Sequence, residues 1–176
     1  MAKKTFKADL SVNSIKGLIK ELESYKVNFM QEKLQEMTRA IAERGVEIAK
    51  ANINTLDAIF TGELFNSIHI KEEDANAGKA VFFIVTDSKH AAFVEFGTGQ
   101  LGQENPYPYP LPDGLEWSYN TGQTIFEMSP GEYGWFYYRD GQWYFTKGMP
   151  SRPFMYETSL ELIQEIPKIA KLVFGK

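Results

Sequence analysis

The 176-residue chain contains no cysteine and only two histidines. Without cysteine there is neither a disulfide nor a thiolate metal site, so the fold must stand on its core alone. His69 and His90 have no neighbours at metal-ligand spacing, which leaves metal binding and acid–base catalysis without a motif. No serine sits in a G-x-S-x-G setting and no Walker lysine exists. The chain is therefore expected not to be an enzyme and to hold no cofactor or metal. No apolar run approaches the ~20 residues of a membrane span. The opening MAKKTFKADLSVN has the lysines of a signal peptide without an apolar stretch behind them. A soluble protein, cytoplasmic where it is made, is expected.

Positive charge is missing from one long segment. No Lys or Arg occurs between His90 and Arg139, whereas Glu95, Glu104, Asp113, Glu116, Glu127 and Glu132 all fall there. With 19 basic and 23 acidic residues and a net charge of −4, the chain is not built for non-specific nucleic-acid binding.

The periodicities that are present describe an α+β protein, with the whole of 1–176 read as a single domain. Residues 1–12 read as an arm or short strand. Ser11 or Asn13 can cap a short amphipathic helix through Ile15, Leu18, Ile19 and Leu22. A longer one, with Val27, Met30, Leu34, Met37, Ile41 and Ile48 at helical spacing, reaches about Asn52. Thr61 can cap a brief helix over Gly62–Phe65. The period then changes to two. Ile68 and Ile70 alternate with polar residues, the run Ala80–Val85 suits a strand covered on both faces, and a turn over 74–78 joins them. Ala91–Phe96 reads as a third strand.

A Pro-, Tyr- and Gly-rich insertion follows over 97–131, longer than an ordinary loop. Trp135–Tyr138 and Trp143–Phe145, joined at Asp140-Gly141, form an aromatic β-hairpin. Pro153 opens a C-terminal helix carrying Phe154, Met155, Leu162, Ile163, Ile166, Ile169 and Val173, with a kink or break at Pro167. The architecture expected is a long N-terminal helix and a C-terminal helix packed on a mainly antiparallel sheet.

Two segments raise chemical questions. Gly97-Thr98-Gly99-Gln100-Leu101-Gly102 spells G-x-G-x-x-G, but a dinucleotide turn needs a helix to follow at once, and prolines 106, 108 and 110 stop one from propagating. Glu95, read on a strand beside Phe93, must be paired if part-buried, with Arg152 or the amides of the glycine turn as candidates. Trp117, Tyr119, Trp135, Tyr137 and Trp143 could form a stacking face for sugars, which makes a carbohydrate- or protein-binding module the alternative function.

Three blocks occur in order: Thr61-Gly62-Glu63-Leu64-Phe65-Asn66-Ser67-Ile68, Ala92-Phe93-Val94-Glu95-Phe96-Gly97-Thr98, and Gly148-Met149-Pro150-Ser151-Arg152-Pro153-Phe154-Met155. Together they resemble the T-G-x-L-x-x-S-I, A-x-x-V-E-F-G-T and G-x-P-x-x-P-F-M blocks of the tail-component (tail-completion) family of long-tailed bacteriophages and prophages. The chain departs from that pattern in lacking a proline shortly before Thr61 and in placing Thr158 where alanine is usual. The resemblance assigns a structural role to Gly62, Leu64, Ser67, Glu95, Phe96, Gly97, Thr98, Pro153, Phe154 and Met155, and makes the glycine–threonine a turn.

The same resemblance implies a virion subunit that assembles in the host cytoplasm as a homo-oligomeric ring, expected as a hexamer. The ring would sit at the head-proximal end of the tail, between tail-tube and head-connector proteins. DNA would pass through it without specific binding, and no membrane is involved. The acidic segment suits such a channel or a joint between subunits, with Glu104, Asp113 and Glu116 facing the lumen and Tyr107, Tyr109 and Trp117 as apolar anchors.

Overall fold

The computed structural model describes residues 7, 9, 11–58, 62–75 and 79–175. Most of the expected N-terminal arm, the Thr61 cap and the centre of the 74–78 turn lie outside these residues.

The two expected N-terminal helices are one, α1 (Val12–Thr55), 44 residues long. Ser11 caps it, its Oγ accepting from Ser14 N at 3.3 Å. The Glu23–Lys26 stretch holds neither proline nor glycine, so nothing interrupts the hydrogen-bond ladder between the two apolar patterns. At 1.5 Å per residue α1 is about 66 Å long. Apart from Lys33, its buried residues are Ala42, Gly45, Ile48, Ala49, Asn52 and Ile53, all in the C-terminal part. Val27, Met30 and Leu34, although helically spaced, are exposed, because the rest of the core does not reach that far.

α2 (Glu63–Ser67) follows a left-handed Gly62 (φ 76°) and buries Leu64. β1 (Ile68–Ala75) and β2 (Lys79–Thr86) form a two-stranded antiparallel sheet in register from Ile68 opposite Thr86 to Ala75 opposite Lys79. α1 lies across one face. The other is not covered, which corrects the expectation for β2: Val81 and Phe83 are exposed on it, and Phe82 and Ile84 turn towards α1. Strand alternation assigns these sides.

Residues 91–96, expected as a third strand, form a helix, α3 (Ala91–Phe96). A second short helix, α4 (Gly99–Glu104), begins within the glycine motif and ends before the prolines. The insertion therefore carries regular structure at both ends, since β3 (Phe126–Ser129) closes it. β3 joins β4 (Glu132–Arg139) and β5 (Gln142–Thr146) in a second antiparallel sheet. The β4–β5 turn is the expected one, with Asp140 at φ 50° and Gly141 at φ 83°. Two consecutive positive φ values match the right-handed twist of the hairpin.

β6 (Gly148–Met149) leads into α5 (Phe154–Phe174), which packs along α1 and runs through Pro167 without ending there. Ile163 is exposed instead of sharing the buried face, while Phe154, Thr158, Ile169 and Val173 are buried. The core joins Ala49 and Ile53 of α1, Ala58, Leu64, Ile68, Val94 and Phe154. The architecture is α+β, as the periodicities indicate, but with two small antiparallel sheets in place of one larger one.

Candidate functional site

The three sequence blocks meet around the start of α5. Gly62 sets the left-handed turn before α2. The Ser67 hydroxyl, at the end of that helix, donates to Leu64 O at 2.8 Å and lies 2.6 Å from Thr86 Oγ1, tying α2 to the end of β2. The second block, α3 and the turn after it, packs on the third.

Glu95 is the centre of this contact, on a helix and not on a strand. It is 6% exposed, and its Oε2 accepts from Met155 N at 2.9 Å and its Oε1 from Tyr156 N at 3.1 Å. The carboxylate thus satisfies two amides that α5 cannot satisfy within itself, at the end where the helix dipole favours negative charge. Neither the Arg152 side chain nor the glycine turn supplies these bonds; Arg152 contributes its backbone N–H to Val94 O at 2.8 Å. Ser151 Oγ donates to Glu95 O at 2.6 Å. Burial raises the Glu95 carboxyl above its ordinary value of 4.5, against the lowering effect of the two amides, and Glu157 adds to the rise.

The glycines of G-x-G-x-x-G have a packing reason. Gly97 has φ 83°, and a Cβ there would meet Ser151 N at 2.8 Å; one on Gly102 would meet Tyr119 Cδ1 at 2.8 Å and Gly97 C at 2.9 Å. Thr98 and Gly99 bridge to Met149 and Gly148, so the motif lies flat against the chain entering α5. A helix does follow, contrary to the expectation. Yet it lasts only six residues and is preceded by α3, so the strand that would feed a dinucleotide turn is absent from this motif.

An apolar cleft of about 360 Å³ opens beside the junction, lined by residues that include Glu95, Phe96, Tyr107, Phe154 and Tyr156. Tyr107 packs edge-on to Phe96 with centroids 4.9 Å apart, and Tyr109 stacks on Tyr156 at 4.0 Å while its hydroxyl donates to Glu157. Trp117 lies 5.0 Å from Phe96 and donates from Nε1 to Gly97 O at 3.0 Å. These three rings, read from sequence as anchors for neighbours, each make contacts within their own molecule. Burial, with help from Glu95, pushes the Tyr107 hydroxyl up to about 12. Glu104, Asp113 and Glu116 are exposed.

The five aromatics read as one stacking face do not form one. Trp117 belongs to the junction. Trp135 and Tyr137 alternate to one side of β4, and Trp143 pairs with Tyr138 on the other. That second side carries a row the sequence reading missed: Phe126, Phe136 and Phe145 in edge contacts of 5.6 and 5.3 Å, continued by Tyr138 and Trp143. Register is what assembles this row, and registers are not visible before strands are paired.

Among the described residues no group of three or more His, Cys, Asp or Glu could hold a metal ion, and no helix is long and apolar enough to cross a membrane. No curated protein and no solved structure matches the chain. The first two sequence blocks fall within, or end one residue beyond, a family match that the third lies outside. Residues 16–97, from α1 through α3 to the glycine turn, match the HK97-gp10-like family, described as Bacteriophage HK97-gp10, putative tail-component, and over this segment the chain is similar to a phage tail-component family.

Proposed function

We propose that the protein is a structural subunit of a bacteriophage tail, which completes the head-proximal end of the tail tube as a ring and joins it to the head connector. The family match over residues 16–97 carries this reading. Two features of the surface support it: the N-terminal half of α1 exposes Val12, Ile15, Ile19 and Leu22, and the second sheet exposes Phe126, Tyr138 and Trp143. Exposed apolar faces of this kind mark interaction surfaces. The partners in this reading are further copies of the chain, expected as a hexamer, with tail-tube and connector proteins, and the protein's place is the virion after assembly in the host cytoplasm.

The acidic segment takes the lumen in this proposal. Glu104, Asp113 and Glu116 repel phosphate and let DNA pass without binding, while the aromatic cluster of Tyr107, Tyr109 and Trp117 holds the segment against the junction. Electron microscopy of the purified protein, alone and with tail tubes, tests the reading. Annular particles, or caps at one end of the tubes, are expected. Unadorned tubes and monomers overturn it.

The exposed Trp143 and Tyr138, at 68% and 61%, favour one second reading, a carbohydrate platform on the aromatic row. A monomer that binds glycans through Trp143 establishes that reading in place of the ring.

A further inference from the structure

The cleft at the junction has aromatic walls and carboxylates behind them. Phe96, Tyr107 and Tyr156 line it from three segments, α3, the insertion and α5. Phe96 and Tyr156 stand at 60° and 84° to Tyr107, with centroids 4.9 and 6.2 Å from it, so the rings turn a corner and do not lie flat. At about 360 Å³ the space is in the size range of ligand sites.

The two carboxylates beside this corner have no counter-charge. Glu95 is 6% exposed, with its oxygens on the amides of Met155 and Tyr156. Glu157 accepts from Tyr109, whose ring stacks on Tyr156. Among the described residues neither carboxylate forms an ion pair. α3 and the insertion belong to the segment without Lys or Arg, and Arg152, at the entry to α5, reaches α3 through its backbone N–H. Hydrogen bonds satisfy both groups, but nothing in the junction balances their charge.

That imbalance selects the occupant. A neutral side chain closing the cleft would take water from two carboxylates and return no charge, which is costly. A cation on the ring faces gains from the aromatic quadrupoles and from the carboxylates behind them, and it displaces no hydrogen bond. Lysine and arginine carry such a head on an apolar stem, and Pro112 and Met155 offer the stem apolar wall.

We propose that the cleft receives a lysine or arginine side chain of a neighbouring protein, with its cationic head against Phe96, Tyr107 and Tyr156. The inference rests on the tail reading above only for the source of that neighbour.

Titration of the full chain carrying methyl-labelled methionine, followed by NMR, tests this, because Met155 lines the cleft and reports its occupancy. Met155→Leu assigns the signal. n-Butylammonium and n-butylguanidinium chloride stand in for the two side chains, and n-butanol at matched ionic strength is the neutral counterpart. Saturable movement of the Met155 signal is expected with the cations, about tenfold tighter than with butanol. Butanol binding as tightly as the cations, or no saturable movement with either cation, overturns the proposal.

Glu157→Gln keeps an oxygen for the Tyr109 hydroxyl and removes the charge. It should weaken the cations about fivefold and leave butanol unchanged. Cation affinity that does not change overturns the proposal. Spermidine is the arm for a free ligand: if it binds tighter than both single-headed probes at matched ionic strength, the cleft belongs to a polyamine and the partner side chain is discarded. These titrations use the isolated protein, so their failure is distinct from that of the ring. Annular particles whose cleft ignores cations retain the ring alone, whereas monomers that bind the cations retain the cleft alone.

Discussion

α1 is a single helix in two environments. From Ala42 to Ile53 one side of it is buried against β1–β2 and α5, and Asn52 reaches Thr158 at 3.3 Å across that contact, so the buried side chains there have fixed neighbours. From Val12 to Leu22 the same helix exposes its apolar side chains. Helical periodicity is equally clear in both stretches. What separates them is the presence of a facing layer, and that difference should govern how each responds to substitution.

The largest effect is expected where the buried half meets α5. Phe154 has no exposed surface, and Phe154→Ala should cost about 3–5 kcal/mol through lost transfer energy and a residual cavity. Denaturant unfolding monitored by circular dichroism checks this, and an unchanged midpoint would mean that the junction is not a core. Next comes Glu95→Ala, which leaves the amides of Met155 and Tyr156 unpaired and should cost about 1–3 kcal/mol.

Glu95 also makes a smaller contribution that depends on pH. Its carboxyl is raised above 4.5 chiefly by burial, so only between 4.5 and the raised value does the native state hold a proton that the unfolded state has released. The stabilisation this gives is fully present below 4.5 and is lost as pH rises through the raised value. The stability of wild type relative to Glu95→Gln should fall with increasing pH above 4.5. A flat difference across that range would place the native carboxyl at its ordinary value. The smallest effect on folding is expected in the exposed half: Ile19→Ser should change monomer stability by no more than about 0.5 kcal/mol. A large loss there would show that the face is covered within the molecule, and would remove the contrast between the two halves.

Local chemistry made part of this legible. Ser11 as a cap, the Asp140-Gly141 turn and the start of the C-terminal helix after Pro153 are signals that act within a few residues. The same scale explains the errors. Ala91–Phe96 is six apolar-rich residues, too short for periodicity to separate strand from helix, and the decision falls to the packing of Val94 and Glu95 against α5. The continuous apolar run in β2 signals burial on both faces only when a second layer exists, and in this fold Val81 and Phe83 meet none.

The candidate site divides along the same line. That Glu95 must be hydrogen-bonded follows from a carboxylate among apolar neighbours, because burying one without partners is costly in any fold. Which groups bond to it does not follow, since Met155 and Tyr156 lie 60 and 61 residues away and only the docking of α3 on α5 brings their amides to it. The glycines at 97, 99 and 102 mark in sequence a place where backbone runs close to something. The tertiary structure determines that this is the chain's own segment entering α5 and not a pyrophosphate. Sequence fixes conformational preference and polarity residue by residue; the identity of a neighbour distant along the chain is set by the packing of whole elements, which no short pattern contains.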